Sequence, residues 1–150
     1  MPAYGANSLK NLTRVHQDLL KVFTTVIKRY DHSVTCGWRS HEDQQKALDA
    51  GLSTKKPGES THNGWRQEAS GVWLPDPTGI SLAVDASPYP INWDDIPRFN
   101  HFGHYVLGVA DGLGIALTWG GDWNRNWNLK DQTFHDRPHF ELANIIKGVG

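Results

Sequence analysis

The sequence predicts an α+β fold, a small antiparallel sheet flanked by helices, and three observations carry that expectation. Apolar residues recur at helical spacing near the front of the chain. Short β-branched or alternating runs recur later, most densely in the second half. A stretch rich in Gly and Pro keeps the two regimes apart. The chain has 150 residues, no internal repeat and no long linker, so these elements belong to one domain, 1–150.

The first helix is predicted from about Ser8 to Tyr30, where Leu12, Leu19, Phe23, Val26, Ile27 and Tyr30 form an apolar stripe. Lys10, Arg14, Gln17, Lys21 and Lys28 lie mostly off it. Ser33–Gly37 reads as a short strand closed by Gly. Ser40 caps a second helix, with Asp43 three positions on, and Gly51 stops it. From Ser53 to Ile80, Pro, Gly, Ser, Thr and Asn predict an irregular segment. In Ser81–Ala86, Leu82 and Val84 share one strand face, and Ser81, Ala83 and Asp85 share the other. Phe99–Leu113 reads as a helix softened by Gly103 and Gly108, Ile115–Trp119 as a strand, Asn124–Thr133 as a loop and His139–Leu142 as the last strand.

Composition excludes several function classes. With 38% hydrophobic and 21% charged residues, the chain is neither a disordered tail nor a membrane span. A formal charge of -1 argues against a nucleic-acid partner, which selects for basic excess. The opening Met-Pro-Ala-Tyr-Gly-Ala-Asn-Ser has no basic stretch followed by an apolar run, so no signal peptide is expected. The single cysteine, Cys36, excludes an internal disulfide and a cysteine-cluster metal site, and reads as a small buried hydrophobe. Any metal must then be held by His and carboxylates. Trp119 and Trp123 read as core edge, and Trp65 and Trp73 as exposed contacts.

Three short stretches offer such groups: Ser60-Thr-His62, Ser81-Leu-Ala-Val-Asp85 and Asp136-Arg-Pro-His-Phe-Glu141. A catalytic zinc uses three protein ligands and keeps one open position, and two His with one Asp meet that need. Asp136 and His139 lie three apart, which in a straight strand puts them on opposite faces. Pro138 supplies a reason for a kink that brings them together. Glu141 shares a strand face with His139 and is placed to hold its outer ring nitrogen. His101 and His104, at i, i+3 on a predicted helix, have no acidic partner at a matching offset.

In this order the motifs resemble the LAS-type zinc peptidases of peptidoglycan, most closely the L-alanyl-D-glutamate endopeptidases that serve as phage endolysins. Gly37-Trp-Arg-Ser40 with Gln44 and Gly51, and Trp119-Gly-Gly-Asp-Trp123, are similar to stretches of that family, and the resemblance runs from about Leu12 to Leu142. It implies a Hedgehog/D-Ala-D-Ala-peptidase-like fold and one zinc per chain on His62, Asp85 and His139. It also implies Asp136 as the base and Arg39 as the group that steadies the scissile carbonyl or a substrate carboxylate. Ser60, Gln44, Asp122 and His135 are the expected substrate contacts. The family writes its first His and its Asp in one compact run, whereas 22 residues separate His62 from Asp85 here. An inserted loop at about 64–79 accounts for the difference, and Asp76 within it is the competing carboxylate.

The expected function is hydrolysis of the L-Ala–D-Glu bond of the stem peptide, causing lysis. The resemblance further implies a monomer made in the host cytoplasm and released to the wall with a holin's help, with no membrane insertion and no separate wall-binding domain. The alternatives are a D-Ala-D-Ala carboxypeptidase or dipeptidase on the same scaffold, and a non-catalytic wall-binding module.

Overall fold

A computed structural model describes residues 1–148. Its centre is a four-stranded antiparallel sheet in the order β1-β4-β6-β5, built from β1 (His32–Cys36), β4 (Ala83–Pro88), β6 (His139–Leu142) and β5 (Leu117–Trp119). Helices α2 (Gln17–Val26) and α4 (Ile96–Gly112) pack against each other, and α4 also packs on β4 and β5. Between the strands lie α3 (His41–Asp49) and the two short strands β2 (Trp65–Gln67) and β3 (Trp73–Pro75). The α+β expectation holds. No helix among the described residues is long and apolar enough to cross a membrane.

Strand alternation divides the sheet into two chemistries. Val84 faces Phe140 across the β4–β6 ladder, and both are fully buried. Phe140 lies among Phe23, Phe102 and Trp119, with ring centroids 5.5, 6.0 and 6.4 Å away. Their neighbours in register, Asp85 and His139, are directly opposite each other on the other face. One face therefore closes the core while the other carries the titratable side chains.

The predicted helix over 8–30 is instead two helices, α1 (Ala6–Asn11) and α2. Between them Val15 forms a parallel bridge with Ser81, and His16 caps α2 by accepting from the Asp18 amide at 3.0 Å. The bridge takes up backbone groups that a continuous helix would use internally. Helix α4 begins three residues before its predicted start. Asp95 caps it and Pro97 sits in its first turn, where the missing N–H costs nothing. Gly103 does not soften α4: a Cβ there would fall 2.3 Å from the Trp119 ring, so the glycine is the notch into which that indole packs. The second helix follows its local signals, with Ser40 Oγ accepting from the Asp43 amide at 3.0 Å and Gly51 at φ +73° beyond its end.

The irregular segment is the largest correction. Residues 65–75 form an antiparallel hairpin in which Arg66 pairs with Leu74. Trp65 and Trp73, expected to be exposed, are 4% and 8% accessible. Trp65 donates its indole N–H to Ser60 O at 3.0 Å, and Trp73 packs on His16 while its amide donates to Ile146 O. Trp119, expected at the core edge, is completely buried.

Candidate metal centre

The face of the sheet opposite the core gathers His62, Asp85 and His139. Register alone brings Asp85 and His139 together, because they are cross-strand partners. His62 arrives from the loop after α3. That loop is tied down by Arg39 N–H to His62 O at 2.9 Å, by Leu82 N–H to Thr61 O at 2.9 Å, and by His62 N–H to Ser60 Oγ at 3.2 Å. The result is a tight triangle: His62 Nε2 to Asp85 Oδ1 is 3.0 Å, His139 Nδ1 to Asp85 Oδ1 is 3.1 Å, and the two nitrogens are 3.2 Å apart.

The outer ring nitrogens decide which way the electron pairs point. His62 Nδ1 is 2.7 Å from Gly37 O, and a carbonyl only accepts, so this nitrogen carries the proton. His139 Nε2 likewise donates to Glu141 Oε1 at 2.8 Å. In its neutral form each ring therefore presents a lone pair inward, toward a carboxylate oxygen. Three electron-rich atoms this close repel one another unless a positive charge lies among them. The local electrostatics agree. Burial pushes both imidazoles down, but the charge and hydrogen bonds of Asp85 outweigh it and hold both above their ordinary range. Burial raises Asp85, yet the two imidazoles drive its carboxyl far below the usual carboxylate range.

The donor set also fits a metal ion in size. A tetrahedral ion with bonds of about 2.0–2.1 Å sets its donors roughly 3.3 Å apart, close to the spacing of this triangle. The outer hydrogen bonds from carbonyl and carboxylate are those that fix ligating imidazoles. A looser set, Cys36, His62 and Asp85, also brings one donor atom each within 4.8 Å of one another. The tight triangle is the better seat because His62 turns its lone pair toward Asp85 and His139, and its protonated nitrogen toward Cys36. Cys36 itself is not the buried hydrophobe expected. Its thiol sits half-buried, 3.7 Å from His62 Nδ1 and 3.6 Å from the Arg39 guanidinium.

Asp136 stands at the rim of this cluster. Its amide donates to Gly120 O at 2.8 Å, Gly120 N–H donates to His139 O at 2.8 Å, and His139 N–H closes back on Asp136 O at 3.1 Å. The four residues 136–139 thus form a turn that delivers Asp136 and His139 to one place, the kink that Pro138 led one to expect. Burial, and then the neighbouring Asp85 charge, raise the Asp136 carboxyl above its ordinary value. Arg39 lies on the other flank. Its Nη1 donates to Gln44 Oε1 at 3.1 Å, and Nη2 is 3.8 Å from Asp85 Oδ2.

The expected substrate contacts separate. Gln44 is fully buried and ties Arg39 to Ser53 and Lys55. Ser60 is buried and holds the His62 amide. Asp122 is 1% accessible, and its oxygens accept from the Asn126 and Trp127 amides. These three brace the walls. His135 instead lines a pocket beside Asp136. Asp76, the competing carboxylate, is engaged by Thr78 and Arg66 in the hairpin. His104 lies between Trp119 and Trp127 and joins no group of metal donors among the described residues. Two contributors lie in stretches the sequence singled out but were given no role at the centre: the Gly37 carbonyl that orients His62, and Trp123, whose ring lies 5.7 Å from that of His139.

Comparison with known proteins finds relatives over nearly the whole chain. A family model of phage L-alanyl-D-glutamate peptidases matches residues 3–143. The L-alanyl-D-glutamate peptidase of Escherichia phage T5 is 28% identical over 149 residues, covering 93% of this chain and 97% of that protein. The crystal structure of the Serratia marcescens L-Ala D-Glu endopeptidase ChiX superposes with a TM-score of 0.66 at 27% identity, covering 94% of this chain and 90% of that one. The chain belongs to the phage L-alanyl-D-glutamate peptidase family.

Proposed function

We propose that this family member is a zinc-dependent endolysin that hydrolyses the L-Ala–D-Glu amide of the peptidoglycan stem peptide. The observation that carries the reading is the triangle of two inward-facing imidazole nitrogens and one carboxylate oxygen, 3.0–3.2 Å on a side, with a second carboxyl beside it. His62, Asp85 and His139 are its metal ligands. A zinc ion held there supplies Lewis-acid polarisation of the scissile carbonyl and an acidified water.

The rest of the chemistry belongs to the chain. Asp136 takes the proton of the attacking water and returns it to the departing nitrogen of D-Glu, a role worth about 10²–10⁴ in rate. Its raised affinity for protons suits a group that must first accept and then donate. Arg39, steadied by Gln44, sets positive charge beside the centre and offsets charge gathering on the carbonyl oxygen. Glu141 and Gly37 O keep the two rings from rotating. Single-domain organisation with a hairpin at about 64–79, synthesis in the host cytoplasm and access to the wall through a holin complete the proposal.

The test is digestion of purified peptidoglycan followed by mass spectrometry of the products. New amino-terminal D-Glu is expected, abolished by a chelator and restored by zinc, at about one zinc per chain. Loss of terminal D-Ala with no new D-Glu terminus would assign a carboxypeptidase instead. Wall binding without new amino groups would assign a binding module.

A further inference from the structure

A pocket of about 190 Å³ opens directly beside Asp136. On one side it is walled by Trp93, Ile96 and Phe99, and on the other by the segment from His135 to Pro138. The Trp93 ring stacks on Phe99 with centroids 5.8 Å apart, and Trp93 is 55% accessible. Opposite this apolar wall stands Arg137. Its backbone carbonyl accepts from Trp119 Nε1 at 2.6 Å, and its Nε donates to Asn100 Oδ1 at 3.1 Å. Among the described residues no protein group meets its two terminal nitrogens. The guanidinium is thus held at its base and free at its tip. His135 Nδ1, in the same wall, is also buried without a partner.

We propose that Arg137 binds the free α-carboxylate of the D-glutamyl residue, so that this pocket reads the leaving-group side of the scissile bond. The proposal rests on the function proposed above. Its geometry follows from the substrate's own chemistry. D-Glu in the stem peptide is joined to L-Ala through its amine and onward through its γ-carboxyl, so its α-carboxylate stays free. That carboxylate is borne by the same carbon as the departing nitrogen. When the nitrogen comes within reach of Asp136, the carboxylate must fall in the space immediately beside Asp136, which is the Arg137 pocket. A planar guanidinium with two open N–H edges matches a carboxylate. Arg39 is the poorer candidate, because the proposed mechanism already sets it at the scissile carbonyl, with Nη1 held by Gln44 and Nη2 facing Asp85. The glutamyl methylenes have Trp93 and Ile96 to lie against.

The experiment compares two soluble muramoyl peptides that differ in one group: D-Glu with its free α-carboxylate, and D-isoglutamine with an α-carboxamide. Wild type is expected to favour the acid by about ten- to a hundredfold in kcat/KM, the worth of a charge-assisted pair. In Arg137→Met that ratio falls toward one. Asn100→Ala, which frees the base of the guanidinium, lowers it part of the way, and it serves as the readout if Arg137→Met does not fold. An unchanged ratio in folded variants, or a wild type that does not distinguish the substrates, overturns the proposal. Cleavage of neither substrate by wild type overturns the peptidase reading itself, and the subsite with it.

Discussion

Removing the Glu141 carboxylate should weaken zinc binding without dismantling the sheet. Its Oε1 accepts from His139 Nε2 at 2.8 Å, and this contact dictates that the other nitrogen, Nδ1, turns a lone pair toward Asp85 and His62. In Glu141→Ala the ring loses both its tautomer preference and its rotational stop. A hydrogen bond to a charged group is worth about 1.5–3 kcal/mol, and loss of such a support around a metal lowers affinity by about 10–100-fold. The two figures agree, since each tenfold is about 1.4 kcal/mol. The Glu141 side chain is 22% exposed, so water can partly replace it, and the lower half of that range is expected. Glu141→Gln keeps an accepting oxygen and should lose less. Burial alone would raise Glu141, but the hydrogen bond and charge of His139 hold it lowered, so its charge is part of what the glutamine removes. Competition against a chromophoric chelator measures the affinity, and thermal melting of the zinc-free protein checks the fold. Wild-type zinc affinity in a folded Glu141→Ala protein would refute the argument that this contact orients the ring.

Three further outcomes follow from the same geometry. Asp136→Asn should fold and bind zinc normally while losing about 10²–10⁴ in hydrolysis rate, read by release of new amino groups. Gly120→Ala should lower both stability and catalysis. Its Cβ would fall 2.1 Å from Asp136 O, and the paired hydrogen bonds of Gly120 to Asp136 and His139 leave that turn little room to yield. A misplacement near 1 Å can cost about 10²-fold, so an activity assay beside a melting curve separates the two effects. His32 is buried against Tyr4, Phe23 and Phe102, and burial lowers its affinity for protons below that of the unfolded chain. The unfolded state then binds more protons, so stability is kept above the ordinary imidazole range and falls as pH drops through it toward the lowered folded value. His32→Leu should flatten that part of the pH profile in chemical denaturation of the zinc-free protein, and an unchanged slope would show that His32 does not titrate on unfolding.

What was legible in the sequence was what local physics controls. Ser40, Gly51 and the alternating His139–Leu142 strand state their conformations within a few residues, and the structure follows them. The residues of the tight triangle stood out because their motifs place donors on strand faces or at a turn. The misses share a different cause. The break after α1 depends on Val15 meeting Ser81, more than sixty residues away in sequence, and the burial of Trp73 depends on Ile146. No window of local pattern contains both partners of such contacts. Gln44, Ser60 and Asp122 were expected as substrate contacts because they stand in the stretches that resemble the family. Their burial shows a different use, since each satisfies backbone or side-chain groups that position the others. Arg137 lies inside the singled-out stretch Asp136–Glu141 but was given no role, because the Trp93–Phe99 stack that completes its pocket lies about forty positions earlier.

The 22-residue separation of His62 from Asp85 looked like the weakest point of the site, and the hairpin removes the difficulty. Its neck is closed by Trp65 N–H to Ile80 O at 2.9 Å and Ile80 N–H to Trp65 O at 3.0 Å, and by Asp76 N–H to Gly64 O at 2.8 Å. The chain therefore leaves and returns at nearly one point, and the residues between add no distance between His62 and Asp85. Closure this tight requires glycine on both sides: a Cβ on Gly64 would meet Asp76 O at 1.9 Å, and one on Gly79 would meet Trp65 O at 2.2 Å. The hairpin's tryptophans then anchor it to the body of the protein, Trp65 under Lys147 and Trp73 beside His16. A long insertion between two proposed ligands is thus compatible with a rigid centre, provided that its ends are pinned to each other and its apolar side chains are buried. Both conditions are met here.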